Sequence, residues 1–163
     1  MSSDIRYFVK GQYIVNPFTI YADYIHADCP EPLCRKYHIS SEIDSAQAIA
    51  EIALPYLMSR DIYHKVVQNK TFLIQQTTGI HRAQRGKFIT VYMDAAVAVH
   101  NPVMNGLFHQ LVTAAGWIKE GPRPMLRLND NGPDATLILE EPVYNAPHGR
   151  RFIYGGFECD PTT

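Results

Sequence analysis

Polar and apolar residues alternate over residues 5–9 and 13–15, with Gly11 between them, and this period of two predicts a strand or hairpin opening. Residues 16–34 hold three of the eleven prolines (Pro17, Pro30 and Pro32) and read as irregular chain with one short strand around 18–24. A further short strand is expected at 36–40. The period then changes. Ala46, Ile49, Ala50, Ala53, Leu54 and Leu57 recur at helical spacing, which predicts a helix over 41–61 with Asp44 as its N-cap. Pro55 lies inside that pattern and is expected to kink the helix or end its regular part.

Strands are expected again at 63–67 and 71–75. The strongest is at 87–93, KFITVYM, which is rich in β-branched and aromatic residues. Asn101 followed by Pro102 marks the start of a second helix with Leu107, Leu111, Val112 and Ala115 on its apolar side, ending at Gly116 or Gly121. Short strands at 125–128, 136–139 and 151–154 follow, separated by the loops NDNGPD and YNAPHG. The pattern predicts one α+β domain over residues 1–163, with two main helices. Its strand–helix–strand segments suggest a mixed sheet within a mixed/antiparallel architecture.

Composition narrows the function classes. Apolar residues make up 46% and charged residues 19%, an ordinary globular balance, and the formal net charge is −1. Nothing overall draws the chain to nucleic acid or to an anionic membrane, although a local basic pocket is compatible with that balance. No apolar run is long enough for a membrane span, and the first residues lack the apolar stretch of a signal peptide. Three cysteines, Cys29, Cys34 and Cys159, are an odd number without an export signal, so reduced thiols and a cytoplasmic location are expected.

Four groups of residues are candidates for chemistry. Lys36 and His38 share one face of a short strand, about 7 Å apart, and can bind an anion and protonate it, or simply line a solvated face. Lys65 interrupts an apolar strand; it snorkels at an edge, or it sits in a pocket where burial and nearby cations make it a neutral base. Arg82, Arg85 and Lys87 surround Gly86 just before the strongest strand, as an anion-binding turn or a basic surface loop. His26, Cys29, Cys34 and His38 have ligand types that suit zinc, on a spacing that matches no common finger pattern. There is no Walker loop, dinucleotide fingerprint or nucleophile elbow.

The segments KYHIS, LPYL, HKVV, Arg82 running into GKFITVY, Gly121-Pro122 and YGGF occur in an order and spacing that resembles the phosphothreonine lyase family. That family comprises type III effector lyases that act on MAP kinases and the N-terminal lyase domains of class III and IV lanthionine synthetases. The motifs resemble the synthetase lyases in particular, over residues 35–157, about three quarters of the chain.

The resemblance implies β-elimination of phosphate from phosphothreonine or phosphoserine in a peptide, giving dehydrobutyrine or dehydroalanine, without metal or other cofactor. It implies Lys65 as the general base at the Cα proton and His38 as the general acid at the departing phosphate. Lys36, Arg82 and Tyr92 match the phosphate pocket. Where the synthetase lyases carry an Arg in a YRYGGF-like segment, this chain has Ile153, so that phosphate ligand is either lost or supplied by Arg127, Arg150 or Arg151.

The chain shows no kinase or cyclase domain, which suggests a stand-alone lyase of a lanthipeptide-type pathway. Its expected partners are a phosphorylated precursor peptide and a separate peptide kinase. An effector that inactivates a host kinase and a non-catalytic phosphopeptide-binding module are the rival readings.

Overall fold

The computed structural model describes residues 6–78, 82–128 and 136–161. The strands are β1 (Tyr13–Val15), β2 (Tyr21–Tyr24), β3 (Cys34–Ile39), β4 (His64–Val67), β5 (Ile89–Asp94), β6 (Met125–Arg127), β7 (Leu137–Leu139) and β8 (Ile153–Cys159). The helices are α1 (Ala46–Met58), α2 (Lys70–Thr77) and α3 (Pro102–Thr113). Six strands form one sheet in the order β1-β2-β4-β5-β3-β8, and β6 and β7 form a separate two-stranded ribbon. The loop NDNGPD lies outside the described residues, as does Ile5. Of the strand expected at 5–9, only a single bridge from Arg6 to Asn69 is present among the described residues.

The sheet is antiparallel throughout. The α1 crossover leads from β3 to β4, and such a crossover permits a parallel pair. Here β5 inserts between the two strands and pairs antiparallel with both. The expected mixed sheet is therefore replaced by an antiparallel one in which β3 and β4 run the same way without touching.

One face of the sheet is apolar and carries the core. Tyr37, Ile39, Val66, Ile89, Val91 and Ile153 are buried there with Ile49, Ala53 and Leu57 of α1 and Met104, Leu107 and Leu111 of α3. Fully burying a side chain of this size stabilises the fold by roughly 1.5–3 kcal/mol. Arg35 ties the sheet to the loop before α3, donating from Nε to Val97 O at 2.7 Å and from Nη1 to Gly156 O at 2.7 Å.

Two helices differ from the expected elements. Residues 71–75 are helix α2, because the Asn69 side chain accepts from Phe72 N at 2.9 Å and starts a helical turn. The first helix starts at Ala46 behind a short 3₁₀ turn, Ile43–Ser45, and Asp44 lies inside that turn instead of capping it. Pro55 does not end the helix, which runs on to Met58. Proline there removes only one hydrogen bond in the last turn, and the buried Tyr56 and Leu57 hold that turn on the core.

Candidate active site

The opposite face of the sheet is polar at its centre. Cross-strand register places Asp23 on β2, Lys65 on β4, Thr90 on β5 and His38 on β3 in one row. Residues directly opposite on antiparallel strands point to the same face, so all four side chains share it. Lys36 and Tyr92 are also opposite partners and form the next position on that face, two residues along each strand. The i, i+2 pairing of Lys36 and His38 read from the sequence is therefore present, and β5 brings Lys65 to the same surface.

Lys36 and His38 are buried, and Lys65 is half-buried. The Lys65 ammonium lies 4.5 Å from the Tyr21 ring centroid and 5.8 Å from that of Tyr92, and the Lys36 ammonium lies 5.3 Å from the same Tyr92 ring. Tyr92 is thus a wall shared by both lysines. Burial, reinforced by Lys36 and opposed by Asp23, lowers the Lys65 amine to about 8. A substantial neutral fraction is then present near physiological pH, as a base requires.

His38 is held by a residue that sequence reasoning missed. Its Nδ1 lies 2.7 Å from Glu140 Oε1, and both groups are buried. A carboxylate at Nδ1 fixes the imidazole so that Nδ1 carries its proton and Nε2 is left for chemistry. Burial lowers the His38 pKa, Glu140 opposes that shift, and Lys87 and Lys36 add to it. Glu140 Oε2 is buried without a hydrogen-bond partner among the described residues.

Glu140 enters through its backbone. Its N–H donates to Pro124 O at 2.9 Å, and Arg123 Nε donates to Glu140 O at 2.5 Å. The segment 121–124 is itself seated on two glycines. A Cβ on Gly121 would lie 2.2 Å from Ser41 O, and one on Gly86 would lie 2.4 Å from Pro122 O. Ser40 Oγ adds a bond to Pro122 O at 2.6 Å. The Gly-Pro and Gly86 motifs thus share one job, which is to seat the arm that carries Glu140.

Lys87 also belongs to the site. The chain bends at Phe88, and burial lowers the Lys87 amine, with Glu140 opposing and Lys36 and Arg127 adding. Arg127 ends β6, which packs against the short turn Arg82–Gln84. The Arg82 side chain lies outside what the structure describes. Arg151 stands away from this face, with Nε on Asn145 Oδ1 at 2.9 Å and Nη1 on Gly149 O at 3.1 Å. Arg150 is likewise committed elsewhere, its Nη2 on Ile118 O at 2.8 Å and its guanidinium over Phe152. Ile153 is fully buried opposite Ile39 on the apolar face, so that position supplies nothing to the polar face.

The zinc arrangement is not assembled. Cys34 and His38 are separated by four residues of extended strand, about 13 Å. His26 packs against Tyr24 instead. Among the described residues no group of three or more His, Cys, Asp or Glu side chains is placed to hold a metal ion. Among them, too, no helix is long and apolar enough to cross a membrane.

The assembled surface has Lys36 and Lys87 near one imidazole, Glu140 against its Nδ1, Arg127 near Lys87, and Lys65 two strands away with Asp23 beside it. Such a field suits a dianion. No protein with a curated description matches the chain. The fold is similar to the solved structure of the type III effector/phosphothreonine lyase OspF from Shigella flexneri, with a TM-score of 0.57 at 13% identity over 93% of this chain and 70% of that one. The family model "RamC, N-terminal domain" matches residues 35–116, the stretch that carries Lys36, His38, Lys65 and Tyr92. With half of its length matched from β3 to just beyond α3, the chain belongs to the RamC N-terminal domain family.

Proposed function

We propose that this domain eliminates phosphate from phosphothreonine or phosphoserine in a peptide, without a metal ion. The observation that carries the reading is the row Lys65–Thr90–His38, which spans β4, β5 and β3. Two interstrand spacings, about 10 Å, separate the outer backbones and leave room for one phosphorylated residue between them. In the proposed step Lys65 Nζ takes the Cα proton. The freed electron pair forms the Cα–Cβ double bond as the Cβ–O bond breaks, and His38 Nε2–H protonates the departing phosphate oxygen.

The two groups need opposite protonation states, a neutral amine and an imidazolium. Their environments supply the means. Burial and Lys36 depress Lys65, while Glu140 supports the positive imidazole and the incoming dianion supports it further. Lys36, Lys87, Arg82 and Arg127 are the proposed phosphate ligands, with Tyr92 as a wall of the pocket. Arg151 has no place in this arrangement. The substrate would be a phosphorylated precursor peptide in a lanthipeptide-type pathway, and a peptide kinase would supply the phosphate.

The test is mass spectrometry of a phosphothreonine peptide incubated with the protein in EDTA. Loss of one phosphoric acid from the peptide is expected, and Lys65→Ala should slow that loss by about 10³-fold. Intact phosphopeptide that nonetheless binds would replace the lyase reading with a phosphopeptide-binding module.

A further inference from the structure

A cleft of about 460 Å³ opens beside Lys65, between the turn joining β1 to β2, helix α2 and the short turn Arg82–Gln84. Its walls are Pro17, Phe18, Ile20, Tyr21 and Phe72, with Thr19, Gln84 and Lys65 as the polar side chains of the lining. Lys65 is the one charged side chain lining it among the described residues. Phe18 is 93% exposed at the rim.

A single exposed phenylalanine is ordinary in itself. What distinguishes Phe18 is the rigidity of the turn that presents it. Phe18 N donates to Asn16 Oδ1 at 2.9 Å, Tyr21 N donates to Thr19 Oγ1 at 3.1 Å, and Asn16 N donates to Tyr21 O at 3.0 Å. The buried Gln68 side chain then reaches the carbonyls of Asn16, Thr19 and Tyr21, each at 3.1 Å. Gln68 stands three residues after Lys65, just beyond β4. One stretch of chain therefore carries the proposed base and locks the turn that presents an exposed apolar side chain at the cleft. The Tyr21 ring is fixed as well, because its OH donates to Lys87 O at 3.0 Å and accepts from Gln76 Nε2 at 3.1 Å.

We infer that this cleft takes an apolar side chain of the substrate peptide, within two residues of the phosphorylated one. The inference rests on the proposed lyase reading, since it places the phosphorylated residue at Lys65. Next-nearest side chains on one side of an extended peptide are about 7 Å apart, which carries a neighbour from Lys65 into the cleft. The lining is mostly apolar, with Thr19 and Gln84 as neutral polar members, and it has no acidic side chain among the described residues. It matches an apolar residue attached to an anionic one. The occupied cleft would favour phosphopeptides with Leu, Ile, Val or Phe near the phosphorylated position.

The experiment uses two phosphothreonine peptides that differ only in having Leu or Ser at the positions within two residues of the phosphothreonine. Binding is measured by fluorescence anisotropy with the full chain carrying His38→Asn, which prevents turnover. The Leu peptide is expected to bind about tenfold more tightly. Phe18→Ser, a change on an exposed turn that the fold tolerates, should remove most of that advantage and leave the Ser peptide unchanged. Phe72→Ser should act in the same direction.

Equal affinity for the two peptides, no binding of either, or an equal loss for both in Phe18→Ser would overturn the subsite. Elimination is read separately with the native chain. A Leu preference in binding without any loss of phosphate overturns the lyase reading and keeps the subsite. Elimination at equal kcat/KM from both peptides does the reverse.

Discussion

His38 and Glu140 meet at 2.7 Å, Nδ1 to Oε1, although 102 residues separate them in the chain. The pair is buried on both sides, so the carboxylate acts on the imidazole through a dry contact. It does two things. It sets which ring nitrogen is left open, and it opposes the loss of the imidazolium that burial favours.

Glu140→Gln keeps the shape and removes the charge. It is expected to lower kcat by about 10²-fold while changing KM little. The His38 pKa should fall further below its ordinary value, because the one influence that raises it has gone. An NMR titration of the His38 ring checks this. An unmoved titration with normal turnover would show that Glu140 only fills space.

In the proposed reaction Lys65, at about 8, is expected to set the alkaline side of the rate profile. Below that pH the amine is charged, and above it the amine is neutral. His38 in the free protein loses its proton at lower pH than Lys65 does. Between the two values, the gain in neutral lysine should offset the loss of imidazolium, and kcat/KM is expected to be flat. Above about pH 8 no more neutral lysine is gained and the rate is expected to fall. Lys36 helps to depress Lys65, so Lys36→Met should move that falling limb to higher pH as well as weaken phosphate binding. The phosphate of the substrate titrates near about 6 and leaves this limb clear. A pH series of kcat/KM for both proteins gives the answer.

Gly86 has φ +83 and no room for a side chain, with Pro122 O 2.4 Å and Pro124 N 2.9 Å from where a Cβ would stand. Gly86→Ala must push back the segment 121–124. Pro124 O holds the Glu140 N–H, so the push reaches His38. A loss of about 1–3 kcal/mol in stability is expected from the strained backbone. Thermal denaturation measures that loss. A changed His38 ring shift reports the accompanying disturbance of the site.

Ile153→Arg restores the residue that the synthetase lyases carry in this segment, yet it should not restore a phosphate ligand. Ile153 is fully buried opposite Ile39 within the core. A guanidinium there is an unpaired charge in an apolar setting and should cost at least about 3 kcal/mol. Denaturant unfolding should show the loss. A stable variant with faster elimination would mean that this strand turns its other face to the site.

Much of this arrangement is legible in the sequence because it is local. The period-two spacing of Lys36 and His38, the helical stripe of α1, the Asn101-Pro102 start of α3 and the strength of β5 all depend on neighbours within a few residues. Where the signal is short, it fails. Thr71 to Gln75 reads as a strand until the Asn69 cap is seen to accept from Phe72 N. Glu140 has no local mark, since its meaning comes from a partner on β3 and from an arm seated by Gly86 and Gly121. Lys87 sits in plain view within GKFITVY, but its direction depends on the bend at Phe88. The insertion of β5 between β3 and β4 is a topological choice that no single segment encodes.

That insertion also works as a ruler. The proposed base and acid hang from strands that never touch, each registered against the same residue, Thr90. Their separation is two repeats of a hydrogen-bonded lattice, which is far stiffer than any loop. A change of substrate cannot easily stretch or shrink it. Variation between relatives should therefore collect at the turns around the sheet, such as the one bearing Phe18. The gap between amine and imidazole should remain the fixed gauge of the reaction.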